Sequence, residues 1–125
     1  MKFSTNSTMT KILDELFSTY SERVPNVRKI TSEMVKNGMV KDQNEIINDH
    51  VAFRTMGVKN LGINSFEKIF LAHGYEKRDF FHFKVKKLDA YWYAPPTPDL
   101  PRIFISELKV ELLSKKVRKI IRKYT

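Results

Sequence analysis

The sequence contains no cysteine, which removes disulfide bridges, thiolate metal sites and cysteine nucleophiles from consideration. Any metal must be held by histidine, carboxylate or water, and there are only three histidines to supply one. Long apolar runs are missing as well. No stretch approaches the roughly 20 residues that span a bilayer, so no transmembrane segment is expected. The opening MKFSTNSTMTKILDELF carries Asp14 and Glu15 where a secretory signal would be apolar, and it lacks a small-residue cleavage site. A cytoplasmic location is the expectation. The familiar catalytic signatures are absent too: there is no GxSxG, no glycine-rich phosphate loop and no HExxH.

What is present fits one domain. A chain of 125 residues with 42% hydrophobic and 30% charged residues can bury a modest core. The net charge of +9 would ordinarily raise the question of nucleic acid. Its distribution argues otherwise, because Lys115–Lys123 (KKVRKIIRK) holds six cations and no anion. The excess describes the solvated face of a terminal helix, so no nucleic-acid partner is expected.

Apolar spacing and turn residues place the elements. Ile12, Leu13, Leu16, Phe17 and Tyr20 mark an amphipathic helix from Thr8 to Val24, ended by Pro25. A second helix is expected over 26–36, with Val27, Ile30, Met34 and Val35 inward and Gly38 as its stop. These two form a helical preface over 8–37. A strand follows at about Asp49 to Thr55, then a helix from Ile63 to His73 closed by Gly74. Tyr75 to Phe83 reads as an edge strand or the arms of a hairpin, Leu88 to Ala94 as a strand and Arg102 to Leu108 as another. Between the last two, PPTPDLP forms a rigid loop, since proline has no N–H for a ladder. The module over 48–108 is therefore β-α-β-β-β, and a basic amphipathic helix is expected over 110–124. One helix covers one face of such a sheet; the other face must be filled by a second module, a partner chain or a ligand. The apolar stripe Leu112, Leu113, Val117, Ile120, Ile121 and Tyr124 is a candidate cover from within the chain.

The residues that carry chemistry centre on NDHVAFRT. Alternation along a strand puts Val51, Phe53 and Thr55 on one face and His50, Ala52 and Arg54 on the other. The first set suits a core, and the second suits a site wall. Asp49 points away from His50. His73, ahead of a glycine at a helix end, reads as a capping residue, and His82 in DFFHF as an ordinary strand residue. Glu107 lies in the apolar setting IFISEL, where a carboxylate needs a cation or a donor.

The strand DHVAFRT, the segment IFLAHGYE and above all the run KKLDAYWYAPPTPDLPRIFISELKV resemble the amino-terminal region of the 2-oxoadipate dioxygenase/decarboxylase family, formerly a domain of unknown function. The resemblance extends from about residue 10 to 113. It implies an α+β fold of the vicinal-oxygen-chelate type, built from paired β-α-β-β-β modules. It further implies a non-haem iron(II) enzyme that converts 2-oxoadipate and dioxygen to 2-hydroxyglutarate and carbon dioxide in lysine breakdown. Two histidines and a carboxylate would hold the iron. By the motif, His50 matches the first metal histidine and Arg54 the substrate-binding arginine, whose forked donors suit a 2-oxo dicarboxylic acid. The family's second histidine and ligand glutamate come from a later region. Neither His73, His82 nor Glu107 matches them, so this chain is expected to be catalytically incomplete by itself.

Three functional readings follow. The chain is the amino-terminal module of such an enzyme. Alternatively it is a homodimer in which each copy offers His50 and Glu107 to a shared metal. The third is a non-enzymatic module whose basic helix, through Lys115, Lys116, Arg118 and Lys119, meets an acidic partner or a membrane surface.

Overall fold

A computed structural model describes residues 7–125; the first part of the opening segment weighed above as a signal lies outside them. The chain divides into two compact units, one ending at Asp49 and one running from His50 to Thr125.

The first unit is helical. Helix α1 (Thr8–Arg23) starts at a reciprocal cap: the Ser7 hydroxyl accepts from the Thr10 amide, and the Thr10 hydroxyl accepts from the Ser7 amide at 2.9 Å. Helix α2 (Pro25–Lys36) begins at the proline expected to end α1. At the first helical position the missing N–H costs nothing, so Pro25 closes one helix and opens the next. Met9, Thr10 and Leu13 are the buried residues of α1, and Thr31 is that of α2. Leu16, Tyr20 and Ile30, expected inward from spacing, are exposed. Thr31 takes the inward position instead, with its hydroxyl satisfied by the Val27 carbonyl at 3.0 Å.

The second unit contains the β-α-β-β-β module in the expected order. Strand β1 (His50–Met56), helix α3 (Ile63–Ala72), β2 (Glu76–Phe83), β3 (Leu88–Ala94) and β4 (Arg102–Leu108) form one sheet in the order β1-β4-β3-β2. β1 runs parallel to β4, and the remaining pairs are antiparallel. The segment 75–83 resolves as a single edge strand after Tyr75, with a register irregularity between Lys77 and Phe80.

α3 lies on the face that carries Phe53. Its Phe66 and Phe70 rings sit 5.1 and 5.7 Å from the Phe53 ring, and Tyr75 meets Phe70 edge-on at 5.7 Å. With buried Tyr93, Ile103 and Ile105 these rings form the core. His73 caps α3 as expected, its Nδ1 2.6 Å from the Ile69 carbonyl. The proline-rich loop is anchored from below. Tyr75 donates its hydroxyl to the Pro101 carbonyl at 2.8 Å. Burial, and secondarily the charge of Asp99, pushes the Tyr75 hydroxyl from 10.0 to about 12. A phenol whose ionisation is raised by folding contributes stability that is intact below its unfolded value and lost as pH rises through the folded one. The fold is thus expected to weaken as pH climbs above 10 toward about 12, with tyrosinate absorbance rising alongside. Tyr75→Phe should flatten that alkaline slope in a pH series of thermal melts.

The terminal helix is shorter than expected. A single 3-10 turn occupies Val110–Leu112, and α4 (Lys115–Tyr124) starts at Ser114, whose hydroxyl accepts from the Val117 amide. No residue of α4 is buried, and Leu112, Val117, Ile120 and Tyr124 are exposed. Four residues of the stripe thus stay exposed, while Leu113 and Ile121 are half-buried.

Candidate functional site

Directly paired residues of neighbouring strands project to the same face. In β1 and β4 the pairs His50–Arg102, Ala52–Phe104, Arg54–Ser106 and Met56–Leu108 share one face. Those with β3 and β2 add Trp92, Ala90 and Leu88, then Phe81 and Phe83. Phe53, which packs on α3, has the opposite parity, so this set lies on the face turned away from α3. The expected division of β1 is observed: His50, Ala52 and Arg54 are exposed, while Val51, Phe53 and Thr55 are half-buried.

This far face has three zones. Along its β1 edge stand His50, Arg54 and Arg102. Behind them Ala52, Ser106 and Ala90 form a floor of small side chains, the last two buried. Beyond these lie Phe104, Trp92, Phe81 and Phe83, with Phe81 6.2 Å from Phe104 and 6.5 Å from Phe83. Polar contacts seat the cations. Arg54 donates its Nε–H to the Ser106 hydroxyl at 3.4 Å, and that hydroxyl donates to the Phe53 carbonyl at 3.4 Å. The Arg102 guanidinium stands 6.0 Å from the Trp92 ring centre, and the Trp92 indole donates to Asp79 at 2.9 Å.

Glu107 is not brought together with His50. It pairs with Thr55 and belongs to the α3 face, where its Oε2 accepts from the Ile63 amide at 2.9 Å. There it does the work of an N-cap side chain, because the capping position itself is Gly62. Gly62 has φ +87°, a conformation that favours glycine, and a Cβ there would come within 2.8 Å of Glu107 Oε2 and push that carboxylate aside. Asp49 lies just outside β1. His82 is engaged elsewhere, its Nδ1 2.6 Å from Asp89 Oδ1 on the α3 face.

Two polar clusters on the α3 face escaped the sequence reading. Glu67, buried on α3, accepts from the Tyr93 hydroxyl and pairs with Lys77 at 2.9 Å. Burial first, then Glu67, pushes the Tyr93 hydroxyl well above the ordinary range. The second is built around Lys109, whose Nζ lies 3.0 Å from Glu111, 3.3 Å from Asp89 and 3.7 Å from Glu107. The Glu111 contact is the main cause that raises Lys109, and it holds Glu111 low. Partial burial acts to raise Asp89, but hydrogen bonds from His82 and Lys109 outweigh it and hold that carboxyl below the usual range. Both clusters tie strands to helix and turn. A signal for the first was available, since Glu67 falls in the apolar phase of Ile63, Phe66 and Phe70.

The sequence profile of the 2-oxoadipate dioxygenase/decarboxylase family matches residues 12–125. The chain belongs to this family. The curated 2-oxoadipate dioxygenase/decarboxylase of Arabidopsis thaliana, a chloroplastic protein, is 37% identical over 99% of this chain and 35% of its own length. The Oryza sativa relative, chloroplastic or amyloplastic, is 40% identical over 90% of this chain and 33% of its own. The chain thus spans about a third of the length of the curated family members it matches. Among solved structures, hydroxyglutarate synthase from Oryza sativa in complex with 2-oxoadipate superposes with a TM-score of 0.80 at 40% identity, over 91% of this chain and 38% of that one. A hydrolase-like protein of Shewanella frigidimarina gives 0.78 at 31% identity, over 90% and 42%. A glyoxalase-superfamily protein of Ralstonia eutropha gives 0.69 at 24% identity, over 83% and 33%, which supports the fold. The α+β, vicinal-oxygen-chelate-like architecture expected from the sequence is the one found.

A dioxygenase family implies a metal, and the residues at hand test that implication. Among the described residues no group of three or more histidine, aspartate or glutamate side chains is placed to hold an ion. The far face supplies the imidazole of His50, with Glu107 turned away to α3. This stretch of the family fold therefore does not by itself fit a three-ligand metal centre. No helix among the described residues is long and apolar enough to cross a membrane.

Proposed function

We propose that this chain forms the substrate-holding amino-terminal module of a 2-oxoadipate dioxygenase/decarboxylase, with Arg54 as a carboxylate clamp and His50 as one donor to iron(II). The reaction is the conversion of 2-oxoadipate and dioxygen to 2-hydroxyglutarate and carbon dioxide, as a step of lysine breakdown. Iron in such a site supplies open positions for a 2-oxo acid and for oxygen. We place its remaining donors outside these 125 residues.

The observation that carries the reading is that His50 and Arg54 stand exposed on one sheet face in a chain of this family. Four positions on a strand separate their Cα atoms by about 13 Å, with only Ala52 between them on that face. The long arginine reaches back over this gap toward a ligand held at His50. Its Nε–H is committed to Ser106, which fixes the guanidinium plane and leaves the terminal NH2 groups as a fork for a carboxylate. The aromatic zone beyond offers apolar surface to a methylene chain. The role is the same in the cytoplasm expected from the sequence or in a plastid, where the curated relatives belong.

A chimera tests it. This chain would replace the matching amino-terminal part of the Oryza sativa hydroxyglutarate synthase, and 2-oxoadipate-dependent oxygen consumption would be followed. The chimera should turn over, and His50→Ala within it should lose both activity and bound iron by elemental analysis. Full iron content and turnover in the His50→Ala chimera would exclude the ligand role.

A further inference from the structure

We propose that α4 docks the chain on an anionic lipid surface, lying in the interface with Val117, Ile120 and Tyr124 turned toward the acyl chains and its lysines among the headgroups. The inference goes beyond the far-face reading and does not depend on it. An amphipathic helix ordinarily buries its apolar stripe against its own core. In α4 the residues Val117, Ile120 and Tyr124, spaced i, i+3 and i+7, are instead 41%, 51% and 80% exposed. The half-buried flank carries Arg118 and Ile121. At 3.6 residues per turn the exposed stripe is bordered by Lys116 and Lys123, with Lys115, Lys119 and Arg122 behind it. An apolar stripe rimmed by charge marks an interaction surface.

Charge decides the occupant. Every charged residue of α4 is a cation, and Glu111, the anion just ahead of it in sequence, is already held by Lys109 at 3.0 Å. Lys115 and Lys116 stand in the first turn, where the helix dipole favours anions, and Lys115–Lys119, Arg118–Arg122 and Lys119–Lys123 set like charges four residues apart. The helix repels itself, and an anionic surface removes that repulsion. Two copies meeting through this face would oppose cation to cation. A nucleic acid or an acidic protein segment would meet the charge and leave the apolar stripe in water. A lipid interface takes both, the stripe at the acyl boundary and the lysine stems snorkelling to the phosphates.

Cosedimentation of the 125-residue chain with lipid vesicles tests this. The chain should bind vesicles of phosphatidylcholine mixed with phosphatidylglycerol, ignore pure phosphatidylcholine vesicles, and be released as salt rises. Lys116→Gln and Lys119→Gln should each weaken that binding about fivefold, the value of one cation near an anionic surface. Ile120→Gln, which leaves the charge unchanged, should weaken it by about fivefold as well, through lost apolar insertion. No residue of α4 is buried, so all three variants should keep the wild-type thermal melt. Equal binding to both kinds of vesicle, or binding to neither, would overturn the proposal. Binding that Ile120→Gln leaves unchanged, or polyglutamate bound as tightly as the mixed vesicles at equal charge, would overturn it too and make α4 a purely electrostatic surface for an acidic polymer.

Discussion

Replacing Arg54 with glutamine is expected to raise the dissociation constant for 2-oxoadipate at least about tenfold while leaving the thermal stability of the chain nearly unchanged. The asymmetry follows from where Arg54 stands. It is exposed on the edge strand, so its removal opens no cavity. Ser106 beneath it is buried and loses an incoming hydrogen bond, but its hydroxyl continues to donate to the Phe53 carbonyl. The ligand loses more. A carboxylate bound by the guanidinium fork exchanges a charged bidentate partner for a neutral amide, and charge-assisted hydrogen bonds are the strong class. Arg54→Lys should recover part of the affinity, because the charge remains and the fork does not. Calorimetric titration and a thermal melt of the same samples check both halves. An Arg54→Gln chain that binds 2-oxoadipate as tightly as wild type would remove this residue from the site.

Phe70→Ala should have the opposite profile, a large loss of stability with no specific effect on ligand contacts. Phe70 is 1% exposed, and its ring lies 5.7 Å from Phe53, 6.3 Å from Phe66 and 5.7 Å from Tyr75. Truncating a ring of this kind costs about 3–5 kcal/mol through lost transfer energy and the cavity left behind. That is a large part of the roughly 5–15 kcal/mol that holds a domain together. Urea unfolding should show a lower midpoint with an unchanged slope. Phe81→Ala on the far face should cost far less, because Phe81 is already 40% exposed. A Phe70→Ala loss below about 1 kcal/mol would contradict the packing of α3 on the sheet.

The contrast between these residues explains what was legible in the sequence. Strong period-2 alternation around Phe53 and the proline block between β3 and β4 left few alternatives for the strands, and Leu88–Ala94 and Arg102–Leu108 lie where the pattern puts them. The facing of His50 and Arg54 came from the same alternation. The helices were less readable, because spacing gives a stripe but not its exact bearing. Leu16, Tyr20 and Ile30 sit at the margins of their stripes and point outward, while Thr31 turns inward with its hydroxyl satisfied locally. Glu107 shares the parity of Ile103 and Ile105, a signal of the core side of β4 that its pairing with His50 in the homodimer reading passed over. What the sequence could not reveal was its partner, since the amide of Ile63 is 44 residues distant. The places of Arg102 and Ser106 on the far face were hidden for the same reason. They become visible only when parallel pairing of β1 with β4 brings them beside His50 and Arg54.

The most direct test of the far-face site is the 1H–15N spectrum of the wild-type chain titrated with 2-oxoadipate. Saturable shifts are predicted for amides of His50–Met56 and Arg102–Leu108 and for the indole N–H of Trp92, while α4 stays still. Shifts confined to the basic residues of Lys115–Tyr124, with β1 and β4 unmoved, would contradict the site and show the acid to be attracted only by the charge of the terminal helix.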